Sequence, residues 1–305
     1  ISVSQTDSHY PVTVESYNYA GDVVTTTYEK APERVIAVYQ GSIETMLALG
    51  LEEHVVASYG LDNAVKEEWE DGLSKMNYHE EVFAPSKEDV MMLEPDMIFS
   101  WGSLFGEKKL GDVDQWISRG TNTYINTNTR AGGYDRTLEH EYTDILNIGK
   151  IFDVEEKAQA LVDEMKQEIE DALAKTKGKE AQTVSVIEFL NDDISNYGAS
   201  SLAGDMITQL GGELAAPDAK QVGKEDLVEQ NPDVIFVVYM ENSGDDGEDV
   251  KKYMCCKSHG RPGICKSGCC KKMDVYIQLC WVICMQVALV PLMESAILPQ
   301  VCIRN

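Results

Sequence analysis

Aromatic and amide side chains stand where short apolar runs of the chain end. A small-molecule site in an α/β lobe lies beyond the carboxyl ends of its strands. The candidate ligand contacts at these ends are Tyr39, Gln40, Ser42, Tyr59, Trp101, Ser103, Asn126, Asn128, Arg130, Asn191, Tyr197, Tyr239 and Glu241. Ring faces with a few polar anchors suit a bulky, partly apolar ligand, so these residue types predict non-covalent binding. Each aromatic has the alternative of a core or rim position, and we expect about half to contact ligand.

Arg130 is the cation of most interest among these residues. A guanidinium in a binding site can form two parallel hydrogen bonds to carboxylate, catecholate or propionate oxygens. The alternative is a solvated loop charge, and Arg136 would serve the same argument. Both lie in the glycine-containing segment 126–136, which is expected to be able to close over a ligand.

Catalysis has little support in the sequence. His9, His54, His79 and His140 are scattered, and the first 254 residues contain no cysteine. The chain has no Gly-x-Ser-x-Gly elbow, no phosphate-binding Gly-rich loop ending in Lys and no His-Glu-x-x-His motif. We therefore predict no catalytic residues, no resident metal and no cofactor.

The elements that must position these residues begin with a β-hairpin. Alternating residues predict two strands, 12–17 and 23–28, joined by a glycine-containing loop. Short apolar strands and helical segments then alternate, which predicts a parallel sheet with helices on its faces. The predicted strands are 34–39, 55–59, 97–101 and 123–126, and the predicted helices are 43–49 and 89–93.

One long helical pattern separates this region from a second set of strands and helices. Residues 154–176 place apolar side chains on one stripe, and Gly178 follows as a stop signal. Beyond it, 184–190 and 234–240 are predicted strands and 202–210 a helix. The fold class is thus α/β, with two Rossmann-like lobes containing parallel sheets and bridged by a single long α-helix. The predicted domains are an N-terminal lobe at 1–152, the bridging helix at 153–178 and a C-terminal lobe at 179–305.

The two lobes share a repeated segment. Residues 87–99 are KEDVMMLEPDMIF and residues 224–236 are KEDLVEQNPDVIF, with Lys-Glu-Asp, Pro-Asp and Ile-Phe at identical spacing. Each segment predicts a short helix that stops before a proline and leads into a buried strand. A chance recurrence of a common loop is the alternative, but seven spaced matches favour an internal duplication.

The order of these features resembles a known family. A hairpin precedes Pro32-Glu33-Arg34-Val35, then Glu44-Thr45 and Ala48-Leu49-Gly50, and the two Lys-Glu-Asp units enclose the long helix and a Tyr197-Gly198 turn. Over residues 10–241 this is similar to the substrate-binding proteins of ABC importers for iron–siderophore complexes, haem and cobalamin. The resemblance implies two α/β lobes joined by one rigid helix, with the ligand in the cleft between them.

The resemblance also implies partners and a location. In the family, one acidic residue on each lobe docks onto arginine pockets of the membrane permease, and the matching positions are Glu88 and Glu225. A first-turn glutamate favoured by the helix dipole is the alternative for each. The expected ligand is a ferric siderophore, haem or a corrinoid. The expected location is extracytoplasmic, either as a membrane-anchored lipoprotein or as a periplasmic protein, and a monomer is expected.

Strong acidity agrees with a protein that does not bind nucleic acid. The first 253 residues carry 20 Lys and Arg against 50 Asp and Glu, whereas phosphate binding needs a surplus of basic residues. A metal- or tetrapyrrole-handling α/β enzyme of the chelatase type is the alternative function that the same architecture allows.

The last 52 residues differ in composition from the rest. All eight cysteines lie between Cys255 and Cys302, and residues 254–305 carry 6 Lys and Arg against 2 Asp and Glu. The cysteine spacing matches neither a usual zinc site nor a disulfide framework well, and 275–292 is a poor membrane-span candidate. Back-translation with a shifted reading frame forces several glycines and, with permitted codon choices elsewhere, allows a sequence that resembles the family's C-terminal end. We interpret the segment as out of frame, with single-base errors near Tyr253 and Lys271; a genuine Cys-rich zinc or redox module is the alternative.

Overall fold

The computed structural model describes residues 9–106, 108–190, 193–239 and 276–278. The chain divides into two compact units, residues 1–133 with 139–164, and residues 134–138 with 165–305. We call them unit 1 and unit 2. One boundary between them falls inside the long helix, between Glu164 and Met165.

Unit 1 opens with the predicted hairpin. Strands β1 (Val12–Tyr17) and β2 (Val23–Tyr28) are antiparallel, as the alternation of residues indicated. Val12 and Val14 are buried on one face of β1, and the hydroxyl of Ser16 accepts a hydrogen bond from the Ile125 amide at 2.9 Å. The hairpin is therefore tied to the strand that contains Ile125.

A four-stranded parallel sheet forms the core of unit 1. Its strands are β3 (Val35–Val38), β4 (Val55–Tyr59), β5 (Met97–Ser100) and β6 (Asn122–Ile125), in the order β4-β3-β5-β6. Every residue of β3 and β5 is buried, as is expected of central parallel strands covered on both faces. The strand predictions are confirmed to within one residue at each end.

Helices α1 to α5 accompany these strands: Gln40–Ala48, Glu70–Lys75, Lys87–Met92, Val113–Ile117 and Leu138–Ile151. α1 begins three residues earlier than predicted. α5 was not predicted, although Leu138, Tyr142, Ile145 and Ile148 form its buried face. Two buried carboxylates, Glu141 and Asp144, interrupt that apolar pattern in the sequence.

Helix α6 (Glu155–Thr176) confirms the long helix that the apolar stripe predicted. Ala158, Val162, Met165, Ile169 and Ala172 are buried, whereas Leu173 is 39 % exposed. Gly178 follows with φ +81°, a conformation that favours glycine and ends the helical run.

Unit 2 contains a second α/β sheet. Its elements are β7 (Thr183–Leu190), β8 (Asp193–Asn196), α7 (Leu202–Gln209), β9 (Glu213–Leu214), α8 (Lys224–Gln230), β10 (Val234–Tyr239) and β11 (Tyr276–Gln278). The order is β11-β10-β7-β8, with β9 beside the start of β7. β7 pairs with β8 antiparallel, so the second sheet is parallel except at this edge.

The repeated segment has the same structure in both units. Asp96 accepts hydrogen bonds from the Glu33 and Arg34 amides before β3, and Asp233 accepts from the Thr183 amide and hydroxyl at the start of β7. The distances are 2.8–2.9 Å. β5 follows Asp96 and pairs in parallel with β3, and β10 follows Asp233 and pairs in parallel with β7. The Pro-Asp of the repeat therefore joins two neighbouring strands.

The repeat also places a residue with positive φ after each short helix. Glu94 has φ +46° and Asn231 has φ +45°, at equivalent positions of the two segments. Asparagine tolerates this left-handed conformation, whereas other non-glycine residues pay a steric cost.

We expect Glu94→Asn to raise the free energy of unfolding by about 0.5–1 kcal/mol, because the strain at this position falls. The backbone carbonyl of Glu94, which accepts from the Arg34 guanidinium at 3.1 Å, is retained. Urea unfolding would measure the change. Glu81→Asn, at an exposed position without positive φ, is the matched control. Equal stability of Glu94→Asn and the parent would contradict the prediction.

The predicted frame errors and the cysteines lie outside the described residues. Within that segment the structure describes the backbone of β11, which pairs in parallel with β10 through Val237 and Tyr276. The proposed shift of reading frame concerns the coding DNA, and sequencing codons 245–305 tests it directly.

Candidate functional site

The carboxyl ends of β3 and β5 meet at the centre of the unit 1 sheet. The chain passes from β3 to β4 on one side, and β5 lies on the other side of β3. A parallel sheet has its ligand crevice at such a change of direction. Tyr39 and Gln40 follow β3, and Trp101 follows β5, so the sequence-predicted residues stand at this point.

The rings of Tyr39 and Trp101 form a contact pair. Their centroids are 3.8 Å apart with a 39° angle between the ring planes. Phe83 stands edge-on to Tyr39 at 5.6 Å and is 52 % exposed. We call Tyr39, Phe83 and Trp101 the aromatic wall.

Two glycines let the backbone approach this wall closely. A Cβ at Gly60 would lie 2.5 Å from the Phe83 carbonyl oxygen, and one at Gly102 would lie 2.7 Å from the Thr129 carbonyl oxygen. Gly60 also has φ +81°. Side chains at these positions would push away the segments that place Phe83 and Trp101.

Tyr39 has a backbone conformation that is normally occupied by glycine. Its φ is +84° and its ψ +158°, immediately before α1. Its amide donates to the Tyr59 carbonyl at 2.8 Å, its carbonyl accepts from Ile43, and its hydroxyl donates to the Asp62 carboxylate. Such strain costs on the order of 1–3 kcal/mol and is concentrated at functional sites. The conformation directs the Tyr39 ring to Trp101 and Phe83.

Gln40 holds a loop of unit 1. Its side chain is buried, its Nε2 donates to Glu44 at 2.7 Å, and its Oε1 accepts from the Asp62 and Asn63 amides at 3.0 and 3.1 Å. These bonds fix the segment that presents Asp62 to Tyr39. Ligand contact by Gln40 remains a prediction, and the second hydrogen of Nε2 is the donor that these bonds do not use.

Tyr59 lies behind the wall at the end of β4. Its side chain is buried and stacks on His79 with ring centroids 4.6 Å apart. Burial, and secondarily the Asp89 charge, raises the pKa of Tyr59, so the phenol is neutral. Ser103, by contrast, is exposed in the 102–104 turn, where its carbonyl accepts from Lys109 at 2.9 Å.

The amides that follow β6 are buried and engaged. Asn126 accepts from the Ser42 hydroxyl at 2.9 Å, which ties β6 to α1. Asn128 donates to Glu141 at 2.6 Å, and its Oδ1 contacts the His140 Nδ1 at 2.9 Å. Asn126 and Asn128 are thus integrated in the packing of α1 and α5, and a ligand role for Asn128 stays a prediction.

Arg130 packs on the hairpin. Its guanidinium lies 4.6 Å from the Tyr17 ring centroid, and Nη1 donates to the Tyr17 hydroxyl at 2.9 Å. The side chain is half-buried. A guanidinium oriented by an aromatic ring loses less freedom when it binds an anionic oxygen.

In unit 2 the candidate with a described side chain is Tyr197. Its hydroxyl donates to Glu188 at 2.7 Å, and burial, followed by the Glu188 contact, raises its pKa. Tyr239 is the last residue of β10. Asn191 and Glu241 lie outside the described residues.

A family model described as periplasmic binding protein matches residues 35–253, most of the chain, including both units and the long helix. The chain belongs to the periplasmic binding protein family. The resemblance predicted from the order of motifs is confirmed. The match ends at Tyr253, two residues before the first cysteine.

Named relatives of this binding protein include an ABC transporter substrate-binding lipoprotein, YvrC, of Bacillus subtilis. It is 27 % identical over 233 residues, which cover 74 % of this chain and 68 % of the relative. A periplasmic binding protein from Veillonella parvula has 27 % identity and a TM-score of 0.77, with 97 % of this chain and 94 % of that chain covered. An ABC-type Fe³⁺-hydroxamate transport system structure from Saccharomonospora viridis has 19 % identity, a TM-score of 0.68 and coverages of 94 % and 99 %.

Membership of this family implies an extracytoplasmic location, a small-molecule ligand and a permease partner. Within the described ranges, no helix of this binding protein combines the length and apolarity needed to cross a membrane.

Glu88 and Glu225 occupy equivalent exposed positions of this binding protein. Each is the second residue of its helix, α3 or α8. The neighbouring aspartates of the repeat are used locally: Asp89 contacts the Ser86 hydroxyl at 2.6 Å, and Asp226 accepts from the Gly223 amide at 2.7 Å. Ser86 caps α3 with Asp89 bonded to its hydroxyl, and Asp226 bonds to the N-cap amide of α8, whereas Glu88 and Glu225 are exposed.

Several site residues were not predicted from the sequence. Asp62 and Phe83 lie in irregular segments with no periodic pattern, and Tyr17 was assigned only to the hairpin. Glu141 and Asp144 lie on the helix that was missed. A usable signal was present for Phe83 alone, as a large aromatic residue in the loop between His79 and α3.

Proposed function

We propose that this periplasmic binding protein captures a ferric siderophore, or a related chelate such as haem or cobalamin, and delivers it to an ABC importer. It acts by binding without turnover. The observation that carries the proposal is the aromatic wall at the change of strand order, held by the strained backbone of Tyr39.

The wall suits the chemistry of such ligands. Siderophores, haem and corrinoids present flat, partly apolar faces, and aromatic rings bind such faces over a large area. Arg130, already oriented by Tyr17, supplies a cation for catecholate, hydroxamate or propionate oxygens. The Fe³⁺-hydroxamate transport relative and the substrate-binding lipoprotein support this class of ligand and importer.

A titration of the purified protein with four probes tests the proposal. We expect tryptophan fluorescence to fall saturably, at one ligand per chain, with at least one of a ferric hydroxamate, a ferric catecholate, haem and cobalamin. The reason is that a bound ferric chelate or corrin quenches Trp101 at contact. The iron-free siderophores and Trp101→Phe are the controls, because Trp101→Phe retains a ring while removing the reporting indole.

Absence of saturable quenching and of calorimetric binding with all four probes would overturn the proposal. A metallated product from a free tetrapyrrole and metal would instead indicate the chelatase-type enzyme.

We further propose that Glu88 and Glu225 dock onto basic pockets of the permease. Met91 lies three residues after Glu88, and Val228 lies three residues after Glu225. These two apolar side chains are 42 % and 71 % exposed. Residues three apart share a helix face, so each unit presents an acidic group beside an apolar one. This combination suits a protein partner, since charge guides association and apolar burial retains it.

Glu88→Lys and Glu225→Lys are each expected to lower stimulation of the importer's ATPase roughly 10-fold or more, because a like charge then faces the basic pocket. Ligand affinity should not change. Glu170→Lys, an exposed glutamate on α6, is the control for the added positive charge. Unchanged stimulation in both charge reversals would exclude these glutamates from docking.

A further inference from the structure

A histidine and two carboxylates meet where the N-terminal segment contacts the turn between α5 and α6. His9 Nδ1 lies 3.2 Å from an Asp153 oxygen and 3.6 Å from a Glu155 oxygen. All three ligand atoms lie within 4.8 Å of one another. Among the residues that the structure describes, no other three His, Cys, Asp or Glu side chains bring their ligand atoms so close. The cluster shares no residue with the aromatic wall.

The other ring nitrogen of His9 fixes the orientation of the imidazole. Nε2 lies 2.8 Å from the Lys150 carbonyl oxygen, which can only accept, so Nε2 carries the proton and donates it. The hydroxyl of Tyr10 donates to the next carbonyl, that of Ile151, at 2.7 Å. With Nε2 bonded in this way, Nδ1 is the ring nitrogen that faces both carboxylates. Histidine ligands of metals are held in the same way by a backbone carbonyl.

The two distances from His9 Nδ1 to the carboxylate oxygens fit a tetrahedral zinc site. Zn–N and Zn–O bonds of about 2.0–2.1 Å place neighbouring ligand atoms of a tetrahedron roughly 3.3 Å apart. The observed separations of 3.2 and 3.6 Å bracket that value. One nitrogen with two carboxylates is a donor set that favours zinc over magnesium, which prefers all-oxygen octahedral sites.

Contrary to the prediction of no resident metal made from the sequence, we propose that His9, Asp153 and Glu155 bind a divalent zinc ion, with water at the fourth position. His9 side-chain exposure is 14 %, whereas Asp153 and Glu155 are about half-exposed at 49 % and 55 %, so one side of the site is open to solvent. The ion joins the N-terminal segment to a turn more than 140 residues away in the chain, since Lys150 already lies 141 residues from His9. An ion that binds the folded chain and not the unfolded chain stabilises unit 1.

Equilibrium dialysis and thermal unfolding with Zn²⁺ test this site in the full chain, with its cysteines alkylated so that thiolates cannot bind the ion. The parent is expected to bind one equivalent more than His9→Gln. With free Zn²⁺ about 100-fold above its Kd, Tm is expected to rise by about 5 °C or more. The same concentration of Mg²⁺ should leave Tm unchanged.

Two variants and a control separate the site from general effects. Asp153 has φ +55°, so Asp153→Asn removes the charge while keeping a residue that tolerates this conformation. It should fold and lose the zinc-dependent rise in Tm. His54→Gln is the control, because His54 also contacts a backbone carbonyl, that of Pro32 at 2.6 Å, outside this cluster. Equal zinc binding by the parent, His9→Gln and Asp153→Asn would overturn the proposal and leave an ion pair between a protonated His9 and the two acids.

Discussion

Trp101→Ala is expected to weaken binding of the ferric chelate about 10- to 100-fold. The substitution removes the indole face of the aromatic wall and leaves Tyr39 without the ring that packs 3.8 Å from it. Loss of an aromatic face that is buried on binding costs about 1.5–3 kcal/mol, which corresponds to this range of affinity. Calorimetric titration with the chelate that quenches the parent most strongly would measure the change.

Trp69→Ala is the matched control for this experiment. Trp69 is half-buried in the turn 67–69 and has the Lys66 ammonium 4.7 Å from its ring centroid, so it is an aromatic residue with a local role. Its removal should leave the affinity within about twofold, because a surface cation–π contact contributes little. Equal affinities for Trp101→Ala and the parent would remove the wall from the binding site.

The backbone of Tyr39 explains why the wall is a better candidate than an ordinary buried aromatic cluster. A packed core has no need for a tyrosine at φ +84°, where glycine would be free of strain. The strain is maintained by the Tyr59 carbonyl, by Ile43 and by Asp62, which lie on three different segments. The surrounding structure therefore holds the ring in place before ligand arrives, and pre-organisation of this kind increases affinity by lowering the cost of ordering.

The positions of the strands, the long helix and the repeat could be predicted from the sequence. Apolar runs of four to six residues ended at Tyr39, Tyr59 and Trp101, and parallel strands place such ends at one edge of a sheet. The Pro-Asp of the repeat marks a strand start in both units, because the aspartate bonds to the neighbouring strand. These features depend on local pattern, which a single sequence contains.

The environment of each site residue could not be predicted in the same way. Gln40 is engaged by Glu44 and by the 62–63 amides, and Asn128 by Glu141, so both polar side chains bond to partners within the protein. These partners come from an irregular loop and from α5. Helix α5 was not recognised in the sequence because the charged residues Glu141 and Asp144 lie on its buried face and interrupt the apolar pattern. Antiparallel β8 was missed for a related reason, since its four residues, Asp193–Asn196, contain a single buried apolar side chain, Ile194.

The buried pair on α5 makes stability depend on pH. Burial, and then the Asp144 charge, raises the pKa of Glu141 well above its usual range. Burial also raises the pKa of Asp144. Hydrogen bonds from Thr127 and Tyr124 at 2.6–2.8 Å and the nearby Arg130 charge lower this pKa, but burial has the larger effect. Asp144 has three such bonds, whereas Glu141 accepts from Asn128 alone, so Glu141 holds the proton.

The sign of the effect follows from proton binding. Between the usual carboxyl pKa and the raised one, the folded protein binds more protons than the unfolded chain, so stability falls as pH rises. We expect the free energy of unfolding to decrease from about pH 5 to about pH 8, by up to about 1.4 kcal/mol per pH unit for one such group. Glu141→Gln keeps an acceptor for Asn128 and carries no charge. It should match the parent near pH 5 and exceed its stability near pH 8.

Urea unfolding at a series of pH values distinguishes this pair from the many surface carboxylates of the chain. Glu139→Gln removes an exposed glutamate from the same helix and should keep the parent's pH slope. A slope in Glu141→Gln equal to that of the parent would mean that Glu141 is ionised in the folded protein. The expected result also has a consequence for the proposed site, because Glu141 fixes Asn128 and Asp144 fixes Thr127, which lie two and three residues before Arg130. Repulsion between the two carboxylates, once both are ionised at high pH, would then disturb the segment that carries Arg130.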